Sequence, residues 1–286
     1  MKEFSVKIIQ LLISSKTIFV LIFLFPISGL SNDHIDRMGK DTANDSDQIE
    51  HEKLVFETRS CHFKNEKNME DLIRVTNKWK NYLNKSGVNY SAWLLTPQFY
   101  NTEVLDHEVY WFGASPSRSE FMKSLDVWAS REDSSWNKVR AEFDSILTCE
   151  SRLAWQAEKT RSGSPENLDQ GRTFILMCDI RDGYDLDSVS DSYDEMTVIS
   201  KRLGVDQDHF RLYGSPFTQS FKNTYFYSPD DFSQFDYLHM IMESSNAAGV
   251  ENSRRFGEEG RKARQEKIVS KVNCEVLGNL THYKIR

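Results

Sequence analysis

A chain of 286 residues that is 39% hydrophobic and 28% charged, with 6 Trp, 11 Tyr and 18 Phe, has ample core material, which excludes disorder of the whole chain. Its formal charge is −7; residues 1–31 hold Lys2, Lys7 and Lys16 against Glu3, a net +2, so the remainder carries −9. A mildly acidic body argues against a general binder of nucleic acid or anionic membranes. The length suits one large domain or two ordinary ones.

Residues 1–31 read as a signal peptide. Lys2 and Lys7 open it, and an apolar run from Thr17 to Leu30, broken by Pro26, follows. Gly29-Leu30-Ser31 sets small residues at the −3 and −1 positions of a cleavage site before Asn32. A retained anchor competes, since Ile8 to Leu30 is long enough to span a bilayer, but Lys16 interrupts that span. Either way the body is expected in the periplasm or outside the cell, with no membrane span left after cleavage. Residues 32–52 are almost devoid of apolar side chains and read as a flexible acidic tether.

From Leu54 to Lys64 the pattern is that of a strand. Met69, Leu72, Ile73, Thr76, Trp79 and Leu83 then fall at helical spacing, and Gly87 stands where a left-handed cap belongs. Tyr90 to Leu95, stopped by Pro97, and Glu108 to Gly113 are strands. Ser117-Arg118-Ser119-Glu120 is a capping box opening a helix with Phe121, Leu125 and Trp128 on its apolar face. Trp136, Val139, Phe143 and Ile146 mark a further helical stretch. Cys149 and a strand from Arg152 to Ala157 close the first half. Residues 160–172 have the composition of a linker.

The second half repeats the order. Thr173 to Arg181 is a strand, and Leu186, Val189, Tyr193, Met196 and Leu203 form a helix ending at Gly204. His209 to Tyr213 and Thr224 to Tyr227 are strands. Ser228-Pro229-Asp230-Asp231 is expected to open a helix carrying Phe232, Phe235 and Leu238. A charged helix follows from about Ser253 to Val272; its mixed signs read as a solvated face. Cys274 and a strand from Val276 to Ile285 end the chain.

The halves share a spacing. Cys61 and Cys178, and Gly87 and Gly204, are each separated by 117 residues, and Cys149 and Cys274 by 125 (274 − 149). Four cysteines in an exported protein imply two disulfides, with three connectivities open. If each half is self-contained, the pairs are Cys61 with Cys149 and Cys178 with Cys274. No close pair of ligands suggests a metal site, and none is expected.

Each half reads β-α-β-β-α-β, the ferredoxin-like order, in which the first and last strands are antiparallel neighbours. The end of the first strand then meets the start of the last, where the cysteines stand, in agreement with the symmetric pairing. The fold class expected is α+β: two tandem ferredoxin-like units, residues 53–159 and 173–286, packed sheet to sheet. Over about residues 54–286 this element order and duplication resemble the dimeric α+β barrel superfamily, as a pseudo-dimer within one monomeric chain. That superfamily includes small monooxygenases, haem-degrading enzymes, chlorite dismutases and proteins with no known activity. No residue-level signature of any of these families is present.

His62 adjoins Cys61, and Asp179 holds the same place in the second copy; facing sheets could bring them together as an acid/base pair, although polar strand positions are usually solvated. His107, His209 and His239 are single histidines without ligand spacing; the resemblance allows one as a proximal haem ligand, but no cofactor is expected and haem least of all. Trp93, Trp111, Trp155, Tyr225 and Tyr227 could line a pocket for a small apolar or aromatic ligand between the sheets, or fill a core. Motifs for a nucleophile, a zinc protease or a phosphate loop are absent. The reading favoured is a non-catalytic exported module binding a small molecule or a partner. The alternative is a monooxygenase-like enzyme with a pocket between the sheets.

Overall fold

The structure, a computed structural model, describes residues 51–100, 105–214, 223–228 and 231–286. The signal peptide and most of the tether expected from the sequence lie outside these residues. Among the described residues no helix is long and apolar enough to cross a membrane.

The first half runs β1 (Glu52–Phe63), α1 (Met69–Ser86), β2 (Ser91–Tyr100), β3 (Val109–Ser115), α2 (Arg118–Ala129), α3 (Ser134–Ile146) and β4 (Leu147–Arg161). Asn68 and Asp71 form a reciprocal capping box at the start of α1, and Gly87 closes it at φ 70°, the left-handed region that glycine enters without strain. At α2 the box is only half made: Ser117 accepts from Glu120 N, while the Glu120 carboxylate accepts from Asn89 N instead. β2 continues through Pro97, where an end was expected. Pro97 pairs with Leu280 beside a register shift, and a bulge tolerates the missing donor.

The second half runs β5 (Gln170–Ile180), α4 (Leu186–Arg202), β6 (Asp208–Tyr213), the hairpin β7 (Asn223–Ser228) and β8 (Asp231–Phe235), then β9 (Tyr237–Glu243), α5 (Asn246–Arg264) and β10 (Val272–Lys284). A short 3-10 turn, Pro165–Leu168, joins the halves, and a π turn, Gln265–Val269, extends α5. The helix expected from Ser228 is not formed. Asp231 to Phe235 is a strand paired with β7, and Leu238 lies in β9 between β5 and β6. Tyr237 and Leu238 are buried on opposite faces of β9, so a strand covered on both sides looks apolar throughout and mimics helical spacing.

The strands close into one barrel in the order β1-β3-β2-β10-β5-β9-β6-β4. Within each half the last strand pairs with the first, as the element order required. Two seams, β2 with β10 and β4 with β6, join the halves. The barrel interior is packed with Phe56, Trp93, Phe112, Trp155, Phe210, Leu212, Met240 and Leu280 among others. Outside the barrel, α1 and α3 cover the first sheet over Leu72, Trp79, Trp111 and Trp136. Val189, Tyr193 and Met196 of α4, with Ile268, cover the second.

Both disulfides have the symmetric pairing: Cys61–Cys149 and Cys178–Cys274, with Cα–Cα distances of 4.0 and 4.1 Å and sequence separations of 88 and 96. Each ties a first strand to a last strand in register. On the chain-entropy account, replacing Cys61 and Cys149 together by Ala should lower the unfolding free energy by ~2–5 kcal/mol in equilibrium denaturation. A loss below 1 kcal/mol would mean that strand pairing alone holds this seam.

Gly113 on β3 lies under Tyr90; a Cβ there would sit 1.7 Å from the phenol oxygen. That hydroxyl is fixed, because it donates to Glu57 and accepts from Trp111 Nε1. Gly113→Ala should therefore destabilise the first half by ~1–3 kcal/mol, read from the denaturation midpoint at unchanged slope.

Candidate functional site

Between the two sheets, where a pocket was expected, the barrel core packs closely, and a cavity of about 190 Å³ is lined by Leu54, Trp93, Ala114, Leu168 and Phe210 of that core. Trp93 stacks on Phe56 and Trp155 on Phe235, with ring centroids 6.4 Å apart in both pairs. Trp111 faces the other way, into the helix layer, against Trp79. Tyr225 and Tyr227 lie on β7, and their side chains are outside the described residues. His62 and Asp179 stand on β1 and β5, four strands apart around the barrel. His62 is half-buried at the end of β1, stacked on His107, and Asp179 is exposed.

A cavity of about 330 Å³ opens between the second half's sheet and its helices. In the corresponding layer of the first half the gap is only about 20 Å³, because Trp79, Trp111, Trp128 and Trp136 occupy it. The second copy has Tyr193, His239 and smaller groups instead. The apolar lining of the cavity is Phe174, Leu176, Met196, Ile241, Phe256 and Val276 among others. Phe256 precedes Gly257, whose φ of 53° breaks the regular course of α5. The cavity's polar lining is Arg161, Gln207, His209, His239, Asn252 and Arg264, with His209 beside Ile241 and His239 beside Leu176 across the strand pairs.

Strand alternation produces the polar wall. Phe210 and Leu212 of β6 point into the barrel, so His209, Arg211 and Tyr213 point to the helices; Leu238 and Met240 of β9 do the same for His239. Arg161 reaches the wall at a register shift near the end of β4.

These groups form a directed chain. Arg161 Nη2 donates to Gln207 Oε1 (2.6 Å) and to His209 Nε2. Gln207 Oε1 also lies 3.1 Å from His209 Nε2, but arginine has only donors, so in the Arg161 pair Nε2 accepts, which is the tautomer with the proton on Nδ1. His209 Nδ1 therefore donates to His239 Nε2 at 3.0 Å. The remaining proton of His239 is then on Nδ1, a buried atom with no hydrogen-bond partner among the described residues. Arg161 Nε is a second such donor. The His239 ring stacks on Tyr193, 4.9 Å away and 15° from parallel.

Burial dominates the titration of this wall. It holds both imidazoles well below the usual histidine range, and Arg161 with His239 push His209 down further. Arg211, Arg264 and Arg161 do the same to His239. Burial brings the Arg161 guanidinium down to about 10, against the pull of Asp208 and Glu243, so it stays charged at neutral pH. Both basic imidazole nitrogens are already engaged in the chain. The donor set thus presents N–H groups to the cavity rather than a free lone pair, which does not fit axial haem ligation, and no step through haem follows.

Lone histidines were visible in the sequence, but their adjacency was not, because it depends on the β6–β9 register. Arg161 carried no sequence signal beyond its place at the edge of the expected linker.

No family model matches the chain, and no curated protein does. Among solved structures it is similar to a protein named as a monooxygenase from Lactobacillus acidophilus NCFM, at 11% identity and a TM-score of 0.49 over 82% of this chain and 95% of that one. It is also similar to a variant chlorite dismutase from Candidatus Nitrospira defluvii, at 8% identity and a TM-score of 0.42 over 81% and 92%. A protein named as a monooxygenase from Fusobacterium nucleatum matches at 7% identity and 0.46 over 82% and 93%. These neighbours are members of the dimeric α+β barrel superfamily, the resemblance already raised by the element order. At such values they carry no argument about activity.

The depressed histidines set a pH dependence. Above about 6.5 both rings are neutral whether the chain is folded or not. Between that value and the lower folded ones, only the unfolded chain takes up the protons, so stability falls as pH falls. Each ring adds a slope of up to ~1.4 kcal/mol per pH unit in that window. Denaturation measured from about pH 7.5 to 5.5 should show the decline, and His209→Gln with His239→Gln should flatten it.

Proposed function

We propose that this chain is an exported binding protein for a small organic molecule, held in the second-half cavity. The observation that carries this reading is the unpartnered His239 Nδ1, buried beside an apolar space and a donor in the tautomer that the Arg161 contact sets. An unmet buried donor costs ~1–3 kcal/mol, and a ligand acceptor would remove that cost. The chemistry of the mixed lining suits an apolar or aromatic body bearing a carbonyl, phenolate or acid oxygen. The cavity volume falls at the lower end of small-molecule sites, roughly 300–1,000 Å³.

The wider reading is of two ferredoxin-like units, residues 53–159 and 173–286, produced by duplication and working as a pseudo-dimeric monomer. Strand order and the paired disulfides support it. All 4 cysteines are paired, which suits an oxidising compartment and agrees with cleavage of a signal peptide at residues 1–31.

An enzymatic reading has one observation in its favour. The same two donors, fixed in a buried site, would stabilise negative charge developing on a bound carbonyl. His62 and Asp179 have no part in either reading, since neither lines the cavity.

The probe for the binding reading is 8-anilinonaphthalene-1-sulfonate, an aromatic anion, titrated into the folded protein. Saturable one-to-one binding is expected. Met196→Trp should fill the cavity and weaken binding at least tenfold. His239→Phe should weaken it by ~2–12-fold, the worth of one hydrogen bond. No saturable binding, or equal binding by Met196→Trp, would sink the proposal.

A further inference from the structure

A second cluster lies at the end of the barrel in the first half, away from the cavity. We propose that His62, His107 and Glu150 form a binding site for one divalent zinc-class cation. Their ligand atoms all lie within 4.8 Å of one another. Two imidazoles and a carboxylate are a common three-ligand set for zinc, leaving a fourth position for water.

Three local features bring these residues together. β1 is central in its sheet, with Cys61 opposite Val109 of β3 on one side and Cys149 of β4 on the other. His62 therefore sits between the approach to β3, which carries His107, and the start of β4. On β4 the register jumps: Ser60 pairs with Ser151, but Cys61 pairs with Cys149. Glu150 is the extra residue of that bulge, and a bulge re-aims its side chain. The Cys61–Cys149 disulfide pins both strands at this point.

The surrounding groups have the arrangement expected of metal-binding histidines. Asp106 Oδ1 is 2.5 Å from His107 Nδ1, which fixes the proton there and leaves the Nε2 lone pair. That Nε2 is buried, has no hydrogen-bond partner and faces Glu150 Oε2 at 3.4 Å. A lone pair facing a carboxylate calls for a positive charge between them. Glu108 Oε2 lies 3.8 Å from His62 Nδ1 and accepts from Phe63 N. Asp106, Glu108 and Glu150 give the site a negative field. Zinc bonds of ~2.0–2.1 Å need ligand atoms about 3.3 Å apart in a tetrahedron, so the cluster must contract. Glu150 is 60% exposed and His62 36%, so both side chains have room to move.

The second half serves as an internal control. Asp236 accepts from Ile180 N just as Glu108 accepts from Phe63 N, so the scaffold is the same. There the positions of His62 and His107 hold Asp179 and Phe235, and Glu275 pairs in register with Met177 without a bulge. The imidazoles and a bulge at the glutamate occur together in the first half; in the second there are no imidazoles at these positions and the register shift lies two residues further on, between Val276 and Gly278. Ion pairing alone needs neither. The three ligands are separated by 45 and 43 residues (107 − 62 and 150 − 107), which hides them from any search for close ligand pairs.

The test is calorimetric titration of the metal-stripped, disulfide-intact protein with Zn²⁺ at neutral pH, with Co²⁺ absorption as a second readout. One equivalent should bind, with proton release and with visible bands of a low-coordinate Co²⁺ site. Asp106→Asn should weaken binding by ~10–100-fold, as loss of an orienting partner does. His62→Ala and Glu150→Gln, at exposed or half-exposed positions, should fold normally and weaken binding further. The proposal is overturned if the wild type binds no zinc, which would leave a protonated His107 bridging Asp106 and Glu150. It is equally overturned if both variants bind as tightly as the wild type.

Discussion

Closure of the barrel is the constraint on which the rest depends. A four-stranded sheet of β-α-β-β-α-β order has two free edges and two faces to cover. Pairing β2 with β10 and β4 with β6 removes all four edges at once. It also encloses the inner faces, and an eight-stranded barrel is narrow enough for side chains to fill most of it. Phe56, Trp93, Trp155 and Phe210 do so. A larger cavity between the sheets would sacrifice the core that holds the halves together. The two candidate sites lie outward, in the layer between the second sheet and its helices and at the ends of the first sheet's strands.

Those are the places where the halves diverge. Each disulfide holds the same strand pair in the same way, and Glu108 and Asp236 make the same backbone contact. Around that shared frame, indoles fill the first helix layer while the second keeps a cavity. At the strand ends, the first half has two histidines and a bulge at Glu150, where the second has Asp179, Phe235 and a Glu275 paired in register.

This pattern explains what could be read from the sequence. Cysteines at matching offsets report strand pairing, because cross-strand neighbours recur wherever the order of elements recurs. Helix caps such as Gly87 are local and were equally plain. Misreading Ser228 to Leu238 as a helix had a physical cause: β9 is buried on both faces, so the period of two that marks a strand is lost. Trp93 and Trp155 were legible as large strand aromatics, but not which way each faced, since a shift of one residue reverses it. The cavity was invisible for a different reason. It is defined by indoles that are missing from the second half, and by a register that aligns His209 with His239.

The polar wall of the second half is costly, and the first half shows that the fold does not require it. Arg211 is completely buried against Glu158, Tyr193 and Tyr213, and the two histidines are kept neutral by burial. Replacing buried charges by apolar groups of similar volume is often neutral or stabilising. The first copy comes closer to that solution, with Leu94, Val109 and Trp111 facing its helices and one polar cluster around Glu57 and Arg59. The second layer instead keeps its buried Arg161 and Arg211, its engaged histidines and an unpartnered His239 Nδ1, a cost that the shared barrel does not impose.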